Sequence, residues 1–301
     1  MMTLKSLIFE KLKNGGLNKN DVVMLHSNIG PLFKFLKKQK YNFEVKDIAE
    51  CIMEYFSSNG TLIIPTFNFE FCKGKSFSLK NTPSKMGVLS EEIRNLNKFN
   101  RTSHPVYSFV VIGNFQKNFI QIDNFEAFSK ESPFGLMLGI GTKIVAWNLP
   151  DQNSMTFYHF IERENGVDYR FDKIFNGKYV DKKKEIKKKK YSVFVRDENK
   201  GVITDVSGME KILWRENLFN GDPFDKGTMM IDRTHFRKWL SVRGADYKSL
   251  KEELVLENAI ATPKSEKASM GKDTPVKLAQ TYVMGLNLIH PRFQKNFYLY
   301  I

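Results

Sequence analysis

The chain has 301 residues and a formal net charge of +14, with 42% hydrophobic and 27% charged residues, the balance of a soluble globular protein. No apolar run approaches the ~18 residues needed to span a bilayer, and the first residues, Met1 to Lys5, lack the apolar core of a secretory signal. Two cysteines, Cys51 and Cys72, exclude a disulfide framework and a cysteine-rich zinc site, so the cytoplasm is the expected compartment. Val22 to His26 is an apolar run after Asn20 and Asp21 and predicts a buried strand. Asp47 to Phe56 has helical spacing and runs into Ser57, Ser58, Asn59 and Gly60, where glycine is a natural stop. Thr61 to Phe67 predicts a second strand, and Ser84 to Leu96 a helix with Pro83 and Ser84 at its start. Tyr107 to Gly113 and Thr142 to Trp147 predict two more strands. Ser132-Pro133-Phe134-Gly135 between them reads as a helix start.

Strand, helix and strand repeated in this way argue for an α/β fold with a largely parallel sheet. In such sheets functional residues gather beyond the carboxyl ends of strands, where His26 and Asn148 fall. Further on, Tyr191 to Arg196 and Lys226 to Ile231 predict strands, Thr234 to Val242 a short helix, and the tail from Phe297 to Ile301 a last strand. No repeat or low-complexity linker divides the chain. One domain over residues 1–301 is expected, with its core at 1–175 and a substrate-side elaboration at 176–301.

Much of the excess charge sits in the run from Asp181 to Lys190. Such a run predicts a solvated hairpin or loop. A nucleic-acid interface needs basic residues interleaved with stacking aromatics, or a binding motif, and the run has neither. No nucleic-acid partner is expected from it; a basic surface also suits a phosphate-bearing cofactor or an anionic membrane face.

Thr156, His159 and Glu162 recur every three positions within the stretch from Ser154 to Arg163. On a helix they share an arc of about 120°, while Phe157, Phe160 and Ile161 point away. A carboxylate one turn beyond a histidine orients its ring and stabilises its cation, as a general base needs. Spacing alone fits a solvated helix face better than a catalytic site. Read singly, His26 is a core histidine at a strand end, Ser84 a helix cap, Met86 core, and His104 before Pro105 a loop-fixing residue.

Taken in order, six short blocks change that balance. They are His26-Ser27, Pro65-Thr66-Phe67, the stretch from Thr82 to Glu91, Ser103-His104-Pro105 with Ser108-Phe109, Ser132-Pro133-Phe134-Gly135, and Thr156 with His159 and Glu162. In this order they resemble the aminoglycoside 3-N-acetyltransferase family, over about the first half of the chain.

The resemblance implies a three-layer α/β/α fold, distinct from the GNAT acetyltransferases. It also implies transfer of an acyl group from a CoA thioester, acetyl-CoA or another acyl-CoA, to an amine of an aminosugar. It makes His159 the expected general base, Glu162 its orienting partner and His26 a second active-site histidine, with Thr156 near the acyl group or acceptor. Ser27, Ser84, Lys85, Met86 and Gly87 become candidates for binding CoA, with Arg101 and Ser103 as further ones. A helix amino terminus, a glycine and a lysine suit a pyrophosphate. No metal is required, and no activated covalent nucleophile stands out, so direct transfer in a ternary complex is expected. Met155 stands where the resemblance expects asparagine, and Gln39 to Asn42 where it expects a glycine pair. Those departures and the +14 charge turn the expectation from polycationic aminoglycosides towards a nucleotide-linked or surface-glycan aminosugar. A catalytically silent CoA- or glycan-binding module and a basic nucleic-acid-binding protein are the rival readings.

Overall fold

The computed structural model describes residues 2–98 and 100–200, with residues 202–203, 220–221, 242–246 and 276–277. In chain order the elements begin with α1 (Leu4–Asn14), β1 (Val22–Ser27), α2 (Gly30–Lys38), α3 (Val45–Ser57), β2 (Thr61–Pro65) and β3 (Phe77–Ser78). Next come α4 (Val88–Leu96), β4 (Phe109–Gly113), α5 (Gln116–Ile120), α6 (Pro133–Gly139), β5 (Lys143–Trp147) and α7 (Tyr158–Glu164). The hairpin strands β6 (Arg170–Val180) and β7 (Ile186–Arg196) follow, then β8 (Val202–Ile203), β9 (Asn220–Gly221), β10 (Val242–Asp246) and β11 (Val276–Lys277).

The main sheet has the order β4-β2-β1-β5-β10-β9. β1 pairs in parallel with β2 on one side and β5 on the other, while β4 and β10 run antiparallel to their neighbours β2 and β5. β9 is antiparallel to β10, so β1, β2, β5 and β9 all point one way and the sheet is largely parallel, as expected. The chain leaves β1 for β2 through α2 and α3 and reaches β5 from β4 through α5 and α6 in the opposite layer, so a switch point lies between β1 and β5. Lys143 Nζ donates to Asp21 Oδ2 (2.7 Å) across the β1–β5 pair, a contact between residues 122 apart in the chain.

Alternation along each strand divides the core into two layers. Val23, Leu25, Leu62, Ile64, Val110, Val145 and Trp147 face one way, onto buried residues of α1, α2, α3 and α4. Met24, Ile63, Phe109, Val111 and Ile144 face the other, onto α5, α6, α7 and the β6–β7 hairpin. The result is the three-layer α/β/α arrangement. Burying a side chain such as Phe56, the last apolar residue of α3 and fully covered, contributes roughly 1.5–3 kcal/mol.

α3 starts earlier than its apolar spacing suggests. Glu44 is its cap, and the Glu44 N–H donates to Asp47 Oδ2 (2.7 Å) in a capping box, so Asp47 sits inside the first turn. α4 starts later than expected, at Val88 rather than Ser84. Ser84 Oγ accepts from the Met86 N–H (3.1 Å), and the Lys85 N–H donates to the Phe67 carbonyl (2.9 Å), so residues 84–87 form a turn before the helix. Gly87 closes that turn at φ 103°, a conformation side chains other than glycine rarely adopt.

The lysine run folds as the turn and second strand of the β6–β7 hairpin, and β6 itself was not foreseen from sequence. Gly177 lies on the hairpin's inner face, where a Cβ would come within 2.4 Å of the Phe71 ring. The strand expected at Lys226 to Ile231 and that at Phe297 to Ile301 lie outside the described residues. So does the helix expected from Thr234, except that Val242 opens β10.

Candidate active site

A cleft of about 430 Å³ opens at the carboxyl ends of β1, β2 and β5, the edge that a switch point in a parallel sheet provides. β1 contributes His26 and Ser27, β2 contributes Pro65, and the chain beyond β5 contributes Leu149 and Asn153. The amino termini of two helices also line it, α2 through Asn28, Ile29 and Gly30 and α4 through Gly87, Val88, Leu89 and Ser90. Lys85 is the one charged residue among those lining it in the described part of the chain. Two helix amino termini and a lysine give the cleft a positive end suited to an anion.

Its floor is tied across the switch point. The Asn28 N–H donates to the Trp147 carbonyl (2.8 Å), and Asn148 Nδ2 donates to the Asn28 carbonyl (3.3 Å). Asn148 is buried and held at φ 53°, a left-handed conformation that asparagine tolerates better than most residues.

His26 is 5% exposed, and its Nε2 has no hydrogen-bond partner. Burial pushes its pKa down to about 4, so at neutral pH it is an uncharged imidazole at the cleft wall.

A second polar cluster forms around α7. His159 Nδ1 lies 2.6 Å from Glu162 Oε2, and the Glu162 side chain is 3% exposed. Arg170 Nε approaches the same oxygen at 3.0 Å from the start of β6. Tyr169 hydrogen-bonds Glu162, and its hydroxyl pKa is pushed up, first by burial and then by the nearby carboxylate. An arginine and a hydroxyl thus converge on one buried carboxylate. It therefore accepts the proton on His159 Nδ1, which leaves Nε2 as the basic nitrogen.

The two histidines are joined by an unbroken run of edge-on and tilted rings. His26 meets Phe67 (6.5 Å between centroids), Phe67 meets Tyr107 (5.0 Å), Tyr107 meets Phe128 (4.7 Å) and Phe128 meets His159 (5.6 Å). The main chain joins them too, since Asn153 lines the cleft six positions before His159.

Of the residues predicted from sequence, His26, Ser27, Lys85, Met86 and Gly87 meet in the cleft. His159 and Glu162 pair with each other but are not among its lining residues. Thr156 precedes α7 rather than sharing its face; its carbonyl accepts from the His159 N–H (3.1 Å), so the expected three-residue face reduces to two. Ser84 is buried behind the cleft with its hydroxyl in the turn and its N–H donating to Glu91 Oε2 (2.7 Å).

Arg101 departs furthest from a role in binding CoA. It is 1% exposed, and its nitrogens donate to Ser108 Oγ (3.0 Å), the Thr82 carbonyl (2.5 Å) and the Thr66 carbonyl (2.8 Å). Burial lowers its pKa to about 9. It fixes the loops on either side of β3 from within. Ser103 likewise donates to the Ile122 carbonyl (2.9 Å).

His104 is held by the main chain, Nδ1 accepting from the Val106 and Tyr107 N–H groups and Nε2 facing the Ser192 carbonyl. Burial pushes the Cys72 thiol up to about 11, far from a ready thiolate. Sequence reasoning missed Arg170 and Tyr169. The one available signal for Arg170 was that a buried glutamate requires a cation, and Arg163 and Arg170 were the nearest ones.

A family model described as aminoglycoside 3-N-acetyltransferase matches residues 24–231. The chain belongs to the aminoglycoside 3-N-acetyltransferase family. It is thus a CoA-dependent N-acetyltransferase with acetyl-CoA as its cosubstrate.

Solved structures share the family fold. YokD from Bacillus subtilis is 16% identical with a TM-score of 0.62, and the match covers 82% of this chain and 96% of that one. AAC-VIa bound to sisomicin is 14% identical with a TM-score of 0.61, over 84% and 96%. AAC-IIIb in a binary complex with CoASH is 13% identical with a TM-score of 0.62, over 87% and 98%. No curated protein sequence matches the chain. Among the described residues of this family member, no group of three histidine, cysteine or acidic side chains is arranged to hold a metal ion. No helix among them is long and apolar enough to cross a membrane.

Proposed function

We propose that this acetyltransferase deprotonates its acceptor amine with His159 Nε2, and that the observation carrying this reading is the 2.6 Å contact between His159 Nδ1 and Glu162 Oε2. An amine is mostly ammonium near neutral pH and attacks only after losing a proton. With its other nitrogen committed to Glu162, the His159 ring is fixed in one tautomer and orientation.

Acetyl-CoA supplies the acetyl group as an activated thioester. Residues of this chain that fit it are the two helix amino termini at Gly30 and Gly87 with Lys85, for the phosphates. The unpartnered His26 Nε2 fits the acyl oxygen. A neutral imidazole donates a hydrogen bond to negative charge developing there. Ser27, Met86 and Gly87 shape the wall, and Thr156 sets the entry to α7. Ser84, Arg101 and Ser103 act through the loops they hold.

The acceptor in this reading is an aminosugar carrying negative charge, such as a nucleotide-linked or surface-glycan precursor. No carboxylate lines the cleft among the described residues, and a +14 chain repels a polycation.

The experiment is thiol release from acetyl-CoA with aminoglycosides and nucleotide-linked aminosugars side by side, for wild type and His159→Ala. Acceptor-dependent release that disappears in the variant is the expected result. Equal release by the variant removes His159 from the mechanism, and turnover of aminoglycosides alone removes the anionic acceptor.

A further inference from the structure

Beyond the buried Ser192, the outer face of the β6–β7 hairpin contributes no residue to the cleft or to the His159–Glu162 pair. In the observed register Ile174 lies opposite Ser192, Asn176 opposite Lys190, Lys178 opposite Lys188 and Val180 opposite Ile186. These residues share one face of the ribbon, since side chains alternate along each strand. The opposite face of the same stretch, with Tyr179, Tyr191 and Gly177, packs on the body of the protein.

Charge divides along the same line. Lysines on the packed face have partners, Lys187 with Asp181 and Glu185, and Lys189 with Asp123. Lys178, Lys188 and Lys190 on the outer face make no ion pair with any described residue, and neither do Lys182, Lys183 and Lys184 in the turn. Asp181 and Glu185, the acidic residues of the turn, are both engaged by Lys187. Lys178 and Lys188 face each other directly, a like-charge pair that destabilises an isolated sheet. Bounding these lysines are two apolar side chains in water, Ile174 at 54% exposure and Ile186 at 71%.

We propose that this ribbon face docks the enzyme on an anionic phospholipid surface. Lysine ammonium groups meet lipid phosphates and carboxylates, and the two isoleucines enter the boundary between headgroups and acyl chains. The strip from Ile174 to Val180 extends roughly 20 Å, long enough to lie flat on many headgroups. Nucleic acid is the weaker match, because single strands are held by stacked aromatic rings, and the ribbon's tyrosines are turned inward and buried.

The test is co-sedimentation of the 301-residue chain with vesicles of pure phosphatidylcholine and of phosphatidylcholine with roughly 30 mol% phosphatidylserine, at low and high salt. Binding is expected only to the serine-containing vesicles, reduced about tenfold or more by raised salt. The variant Lys178→Glu/Lys188→Glu/Lys190→Glu should lose it, and Ile186→Asn should weaken it several-fold. Acetyl transfer by both variants should match wild type, which also reports that they fold. Three outcomes overturn the proposal: no binding to the anionic vesicles, equal binding to both compositions, or tighter binding to duplex or single-stranded nucleic acid that the same lysine variant abolishes. The comparisons of lipid and salt with wild-type protein stand even if a variant fails to fold.

Discussion

Arg170 Nε stands 3.0 Å from Glu162 Oε2, the same carboxylate oxygen that lies 2.6 Å from His159 Nδ1. One oxygen thus serves two cations when His159 is protonated, and Arg170 and Glu162 are both buried. Removing the arginine strands a buried charge, and Arg170→Met should destabilise the fold by about 3–5 kcal/mol. Adding Glu162→Gln should recover part of that loss, because the two residues are coupled. Denaturant unfolding of the four proteins in the cycle measures it, and strictly additive losses would dismiss the coupling.

His159→Ala should lower kcat by about 10²–10⁴ while KM for acetyl-CoA changes little. Glu162→Gln should fall in the same range by a different route. A glutamine amide that donates to Nδ1 places the ring proton on the wrong nitrogen. Steady-state kinetics separates these from a binding defect, and a loss confined to KM would contradict both.

His26 and His104 predict how stability responds to acid. Each has its pKa lowered from 6.5 to about 4 by burial, so between those values the unfolded chain binds protons that the folded chain does not. Their effect on stability is level above pH 6.5, turns unfavourable as pH falls towards 4, and levels off below. The full loss is about 3 kcal/mol per histidine. His26→Asn should flatten the slope of unfolding free energy between pH 6.5 and 4.5. A slope identical to wild type would mean His26 is as accessible to protons folded as unfolded.

Lys85 and Arg101 separate a residue lining the cleft from one that supports it. Lys85→Ala should raise KM for acetyl-CoA about threefold to tenfold and leave kcat close to wild type. Arg101→Met removes a buried donor from the Thr82 and Thr66 carbonyls and from Ser108 Oγ and should cost about 2–5 kcal/mol of stability. In the fraction that stays folded, KM for acetyl-CoA should hold. A rise in KM for Arg101→Met equal to that for Lys85→Ala would return Arg101 to the binding site.

What the sequence made legible was whatever local pattern determines. The buried strands at residues 22–27 and 143–147 announced themselves as apolar runs, and His26 at a strand end pointed to the cleft. Ser84 misled because a serine after proline reads as a helix cap, whereas here its hydroxyl closes a turn and Gly87 sets the helix start. Thr156 misled because periodicity does not reveal where a helix begins. Arg101 resembled a phosphate ligand, and only the tertiary structure shows its donors turned inward. Arg170 could not be told from Arg163 for the same reason, since its partner lies across a turn and on another element. β6 escaped notice because its exposed face mixes lysine, asparagine and isoleucine without clean alternation.

The parallel pairing of β1 with β5 also bears on how the protein is made. The Asp21–Lys143 contact joins residues 122 apart, so the cleft has no second wall until that much more chain has left the ribosome. At roughly 5–20 residues per second the wait is on the order of 6–24 s. Throughout it the β1 edge, with Val23, Met24 and Leu25, is available to other nascent chains. Yield should therefore be limited by aggregation during synthesis, and slower growth temperature or chaperone supply should raise it more than changes to the cleft.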